Sequence, residues 1–137
     1  MSTELYRELA WLPREPDDFA DRLKQLADAP DWGVAVRRLA GHGLGEARIG
    51  RLGNAITKRL AAGKPVAPLL PFRLGLVGNG TLTALVPALV GTFARHGFAL
   101  EVIAGDYDRI VPEAIDPASR INAARPDAVL VALDWHG

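Results

Sequence analysis

The 137-residue chain contains no cysteine, which removes disulfide frameworks, thiolate metal sites and cysteine nucleophiles together. Serine is nearly as scarce. Ser2 and Ser119 are the only two, so a serine hydrolase has almost nowhere to place its nucleophile. Neither sign of charge is in excess: 16 Lys and Arg face 16 Asp and Glu, with eleven basic and nine acidic side chains up to residue 70 and five and seven beyond it. No net field therefore draws the chain to nucleic acid or to an anionic membrane. No window approaches the roughly 18 to 20 apolar residues that span a bilayer. The start, "MSTELYRELAWLPREP", puts acids where a secretory leader needs a basic lead and an unbroken apolar core. His42, His96 and His136 lie too far apart for a metal-ligand spacing. Together these absences predict a protein of the reducing cytoplasm, with no nucleic-acid or membrane partner.

What is present suits a packed fold: hydrophobic residues make up 49% of the chain and charged ones 23%. The length allows one α/β domain, or a small sheet module with a helical preface. Residues 1–65 read as that preface. In "DDFADRLKQLADA", Phe19, Leu23 and Leu26 recur at helical spacing behind Asp17 and Asp18, acids placed where the helix dipole favours them. "WGVAVRRLAGHG" predicts a shorter helix through Val34, Val36 and Leu39, ended by Gly41 and Gly43. In "GEARIGRLGNAITKRLAAG", Ile49, Leu52, Ile56 and Leu60 form one apolar stripe, with Gly63 as the stop.

The prolines of "AAGKPVAPLLPF" place a boundary near residues 63–71. After it the rhythm changes. "RLGLV", "ALEVIA" and "AVLVALDW" are short, nearly continuous apolar runs of the kind found in buried parallel strands. Leu82 to His96, apolar nearly all round, predicts one helix buried on most sides. Strand, helix, strand, irregular segment, strand is the opening of a doubly wound parallel sheet. The sequence reaches Gly137 just past its third strand, which leads us to expect a partner or a longer protein to cover that strand.

The first strand runs into Gly78, Asn79, Gly80 and Thr81, and this turn admits three readings. As a dinucleotide fingerprint it has G-x-G, but Thr83 stands where the third glycine belongs; Glu101 supplies the downstream acid, and no Walker pattern follows. As a hydrolase loop it offers Thr81 as a weak candidate nucleophile, which needs a base and oxyanion donors. As a structural turn it uses glycine to bend tightly and Thr81 or Asn79 to cap the helix, leaving amides that suit a phosphate or carboxylate. Candidate ligand-binding residues are therefore Gly78, Asn79, Gly80 and Thr81, joined by Asp106 of "GDYDR" and by Asp134 and Trp135 at the end of the third strand. "GDYDR" lacks the threonine of a phosphatase D-x-D-x-T, so its acids are not that nucleophile.

In "EAIDPASRINAARPDAVLVALDWHG", the residues Asp116, Pro117 and Ser119, then Arg125, Pro126 and Asp127, lead into an apolar strand ending at Asp134. With "LGLVGNGTLTALVPAL" and "RHGFALEVIAGDYDRI" before it, residues 72–137 resemble the N-terminal region of FkbH-like proteins, which belong to subfamily IIIC of the haloacid dehalogenase superfamily. The resemblance implies an α/β fold: a helical preface followed by a flavodoxin/SGNH-hydrolase-like, three-layer parallel-sheet module. "NGTLT" stands where the G-D-S-L motif of SGNH esterases would stand, with Thr81 for the serine and Asp134 where an asparagine amide would lie.

In that family a C-terminal, magnesium-dependent phosphatase-like domain takes a glyceryl unit from 1,3-bisphosphoglycerate. It loads the unit onto an acyl carrier protein for polyketide extender-unit synthesis, of which methoxymalonyl units are one kind. None of that domain's D-x-D-x-T machinery is in this sequence. The resemblance thus implies an accessory, non-catalytic front module without a cofactor of its own, partnered by the haloacid-dehalogenase-like domain and by a carrier protein. A Thr81 esterase and a Rossmann-like nucleotide module are the alternatives.

Overall fold

A computed structural model describes residues 10–134. Three helices come first: α1 (Phe19–Gln25), continued by a 3-10 turn at Leu26–Asp28, α2 (Trp32–Ala40) and α3 (Glu46–Ala61). The strand and helix series follows as β1 (Leu70–Gly78), α4 (Val86–Arg95), β2 (Phe98–Ala104), α5 (Ile110–Ile115), α6 (Arg120–Ala124) and β3 (Ala128–Ala132). The protein is α/β, with a three-stranded, all-parallel sheet in the order β2-β1-β3.

The helix ends obey local chemistry. Asp18 stands at the N-cap of α1, and α2 ends at Gly41. Beyond α3, Gly63 takes a φ of +66°, a left-handed conformation that costs glycine nothing.

Strand β1 starts earlier than the proline-rich lead-in predicts, so Leu70 and Pro71 lie inside it. The register explains how proline is tolerated. β1 pairs with β2 from Leu70↔Phe98 onward, whereas β3 joins only from Leu74↔Ala128. At Pro71 the strand is still an edge on one side, and a missing N–H there breaks no ladder.

Alternation along β1 assigns the two layers. Leu74, on one face, joins a core of Phe19, Val36, Leu52, Ile56, Val90 and Leu100, all 6% exposed or less. Its neighbour Gly75 faces the opposite side, where an added Cβ would sit 3.0 Å from Ile121 of α6. Helices α1–α4 thus cover one face, and the α5–α6 corner covers the other. Phe72, Phe93 and Phe98 meet at centroid separations of 5.6–6.3 Å in tilted and edge-on geometry, closing the core beside β2. The apolar core runs without a break from α1 to β2. Each large side chain fully buried in it contributes about 1.5–3 kcal/mol.

The single buried helix expected over Leu82–His96 is not what forms. A 3-10 turn at Thr83–Leu85 precedes α4, Leu85 is 49% exposed, and only Val90, Gly91 and Ala94 of α4 are buried. Pro87 is the reason: it suits the first turn of a helix, but within one begun at Leu82 its ring would meet the carbonyl of Thr83.

The edge strand β3 carries no charge, and Val129, Leu130 and Val131 are each more than two-fifths exposed. Parallel strands are ordinarily covered on both faces.

Candidate functional site at the strand ends

In an open parallel sheet, ligands bind outside the C-terminal ends of the strands, where successive connections leave for opposite faces. Here that point lies between β1, which leads to α4, and β3, entered from α6. The residues that follow these two strands are tied together. Asn79 Nδ2 donates to Asp134 Oδ1 at 3.1 Å, and the Asp134 amide donates to Asn79 Oδ1 at 2.9 Å. A primary amide facing a carboxylate and an amide N–H makes a closed, reciprocal pair across the crevice.

Gly78 is a close-approach glycine, since a Cβ there would overlap the carbonyl oxygen of Ala132. Its own carbonyl accepts from the Asp108 amide at 3.1 Å, and the Gly105 amide donates to Leu76 at 2.8 Å, laying the loop after β2 onto the end of β1. Gly80 faces open space and Thr81 is exposed. Neither Thr81 nor Asn79 caps a helix, contrary to the structural reading of the turn. The caps of the 3-10 turn and of α4 are Leu82 and Leu85, without side-chain bonds, because Pro87 delays the helix start and Asn79 is engaged by Asp134.

The other predicted residues divide. Asp106, in the loop that Gly105 and Asp108 bind to the end of β1, lines a cleft of about 500 Å³ with Arg109, Glu113, Ser119 and Arg120. Trp135 and His136 fall outside the described residues. Among the described histidines, neither stands by Thr81. His42 has Nδ1 3.2 Å from the Leu39 carbonyl, and His96 is the C-cap of α4, about 15 Å along the helix from its start. Threonine attack needs a base in hydrogen-bond reach. Among the described residues no hydrogen bond connects Thr81 Oγ1 to a base, and no cluster of three or more His, Asp or Glu can hold a metal ion.

The residues that carry the family resemblance do a different job. The Asp116 carboxylate accepts from the Ala118 amide at 2.9 Å, and Ser119 Oγ caps α6 by accepting from the Asn122 amide at 3.1 Å while donating to the Glu113 carbonyl at 2.8 Å. Asn122 Nδ2 donates to the carbonyls of Glu113, Ala114 and Asp116 at 2.8–3.3 Å, satisfying the open end of α5. Asp127 accepts from the Arg73 amide at 2.8 Å and returns its own amide to the Arg73 carbonyl at 2.8 Å. The Arg73 guanidinium reaches the Ala124 carbonyl at 2.6 Å and Glu101 at 3.3 Å. The first set of contacts ties α5 to α6, and the Arg73 contacts fix the end of α6 and the entry of β3 at the end of the sheet opposite the crevice. Sequence reasoning did not single out Arg73 or Asn122; the Ser-x-x-Asn spacing after Asp-Pro is the signal that finds the second.

No protein-family model and no curated protein matches the chain. Among solved structures, it is similar to the N-terminal part of the protein BF1531 from Bacteroides fragilis, containing a phosphatase domain and complexed with Mg. The two share 19% identity at a TM-score of 0.49, over 57% of this chain and 21% of that one. The chain thus spans about a fifth of that structure's length. A likeness of this size carries no argument about the site or its chemistry.

Proposed function

We propose that this chain is a non-catalytic accessory module of an FkbH-like glyceryl-transferring enzyme of the cytoplasm. Its role is to help a carrier protein, or the phosphopantetheine arm that the carrier bears, reach a magnesium-dependent phosphatase-like catalytic domain. The observation that carries the reading is the Asn79–Asp134 pair. It closes the crevice where an α/β hydrolase sets its nucleophile, and it leaves Asp134 turned to Asn79 while Thr81 stands exposed. The turn at Gly78–Thr81 then serves as a polar rim, with open space over Gly80 for a phosphate or thioester group. The kinship rests on the resemblance of Asp116, Ser119 and Asp127 to the family pattern.

The test is a glyceryl-loading assay with an FkbH-like catalytic domain and its carrier protein, with and without this module. The reading predicts a higher kcat/KM for the carrier when the module is present, unchanged by Thr81→Ala. No effect of the module on loading contradicts it.

A further inference from the structure

Among the described residues, Glu113 of α5 is the one charged residue that is buried, at 8% exposure. It is tucked against the loop after β2, so that a Cβ added at Gly105 would sit 3.6 Å from its Cδ. One carboxylate oxygen, Oε2, accepts from the Ile121 amide at 3.4 Å, longer than the ordinary range of about 2.7–3.2 Å. The other, Oε1, has no hydrogen-bond partner among the described residues, and no side-chain oxygen there is both sealed from solvent and unsatisfied. Oε1 therefore meets the cleft of about 500 Å³ that Glu113 lines. A sheltered carboxylate with so little compensation is costly to keep.

Compensation stands within the chain and is not used. Arg109 lies four positions before Glu113, a spacing that brings side chains together on a helix, and both line the cleft. Arg120, the first residue of α6, lines it too. Among the described residues neither guanidinium makes an ion pair or a side-chain hydrogen bond. The other polar groups of the cleft are employed or exposed: Ser119 Oγ bonds the Glu113 carbonyl and the Asn122 amide, Asp116 accepts from Ala118, and Asp106 is exposed at the lip. One wall thus presents a sheltered carboxylate and another two guanidinia, and they do not satisfy each other.

We infer that this cleft binds a small zwitterion of the amino-acid kind, whose ammonium donates to Glu113 Oε1 and whose carboxylate is received by Arg109 and Arg120. An ammonium brings three donors to an oxygen that has none, and the guanidinium fork matches a carboxylate. Each end of such a ligand supplies the counter-charge that one wall lacks, whereas a molecule with a single charge leaves the other wall as it was. The volume of about 500 Å³ falls within the range of about 300–1,000 Å³ usual for small-molecule sites. The bordering loop follows β2 at the C-terminal end of the sheet, where open parallel sheets bind their ligands. The inference stands on Glu113, the two arginines and the cleft, independently of the glyceryl-transfer reading.

The experiment titrates the full isotope-labelled chain with glycine, β-alanine and γ-aminobutyrate, which set the two charges progressively further apart. Propionate and propylamine, with one charge each, serve as controls. At least one zwitterion should shift the amides of Gly105, Glu113 and Ile121 saturably, and both controls should bind about tenfold or more weakly than it does. The Arg109→Gln/Arg120→Gln chain, altered only at exposed side chains, should lose about tenfold or more in affinity for that zwitterion. Glu113→Gln, whose amide oxygen can still accept from Ile121, should lose as much; if that variant does not fold, the arginine double variant decides. Arg22→Gln, on α1, should bind as the parent does. Absence of saturable shifts with all three zwitterions overturns the inference, as does binding indifferent to the arginine double variant. Propionate or propylamine binding as tightly as the best zwitterion overturns it too, and so does saturable binding of magnesium chloride in the zwitterion's place.

Discussion

Gly53 of α3 lies so close to Pro87 of α4 that a side chain at position 53 would overlap the Pro87 carbonyl oxygen, and Gly91 meets Ile49 of α3 in the same way. This contact joins the first three helices to the sheet layer. Gly53→Ala therefore forces the two helices apart, and it should destabilise the protein by about 1–3 kcal/mol. Gly45→Ala, at a position with open space around it, should change stability by only a few tenths of that range. Urea denaturation midpoints of the two variants check the contrast.

Asp127→Ala removes the carboxylate that receives the Arg73 amide. The site is exposed, so the expected loss is modest, about 0.5–1.5 kcal/mol. Its signature is local: hydrogen exchange at the Arg73 amide should speed up while the amides of β2 keep their protection.

Ser119→Ala should cost about 1 kcal/mol, through loss of the cap on α6 and of the bond to the Glu113 carbonyl. Asn122→Ala, which unties three carbonyls at the end of α5, should cost at least as much. Thermal unfolding of each variant, followed by circular dichroism, measures both. Asn122→Ala losing clearly less than Ser119→Ala would contradict the assignment of Asn122 as the tie between α5 and α6.

The strands and the amphipathic helices were legible because burial imposes periodicity. Ile49, Leu52 and Ile56 mark the inner face of α3 in the sequence and are buried in the structure. Local steric detail was less legible. The expectation of one helix from Leu82 overlooked Pro87, and the proline-rich lead-in concealed two residues of β1, because whether Pro71 breaks a ladder depends on a register that sequence does not display. At the crevice, Asn79 and Asp134 were both named, but their pairing joins positions 55 residues apart, and no local pattern announces it. Asp106 was named with the glycine turn, and it also lines the cleft beside α5, a neighbourhood that no local pattern displays.

Thr81→Ala should leave stability and carrier binding unchanged, because Thr81 Oγ1 is exposed and caps no helix. Asn79→Ala should cost about 0.5–1.5 kcal/mol by removing two hydrogen bonds to Asp134. It should also shift the amide resonances on both sides of the crevice. Denaturation and two-dimensional NMR spectra of the two variants test this. Hydrolysis of a short acyl ester by the parent chain, abolished in Thr81→Ala, would return Thr81 to the list of nucleophiles.

The most direct test of the accessory-module account is an NMR titration of the isotope-labelled chain with a carrier protein, with and without its phosphopantetheine arm. The account predicts that the arm-bearing carrier shifts the amides of residues 78–82, and that the armless carrier leaves them in place. If neither form shifts any amide in the turn, the strand-end crevice has no part in carrier recognition.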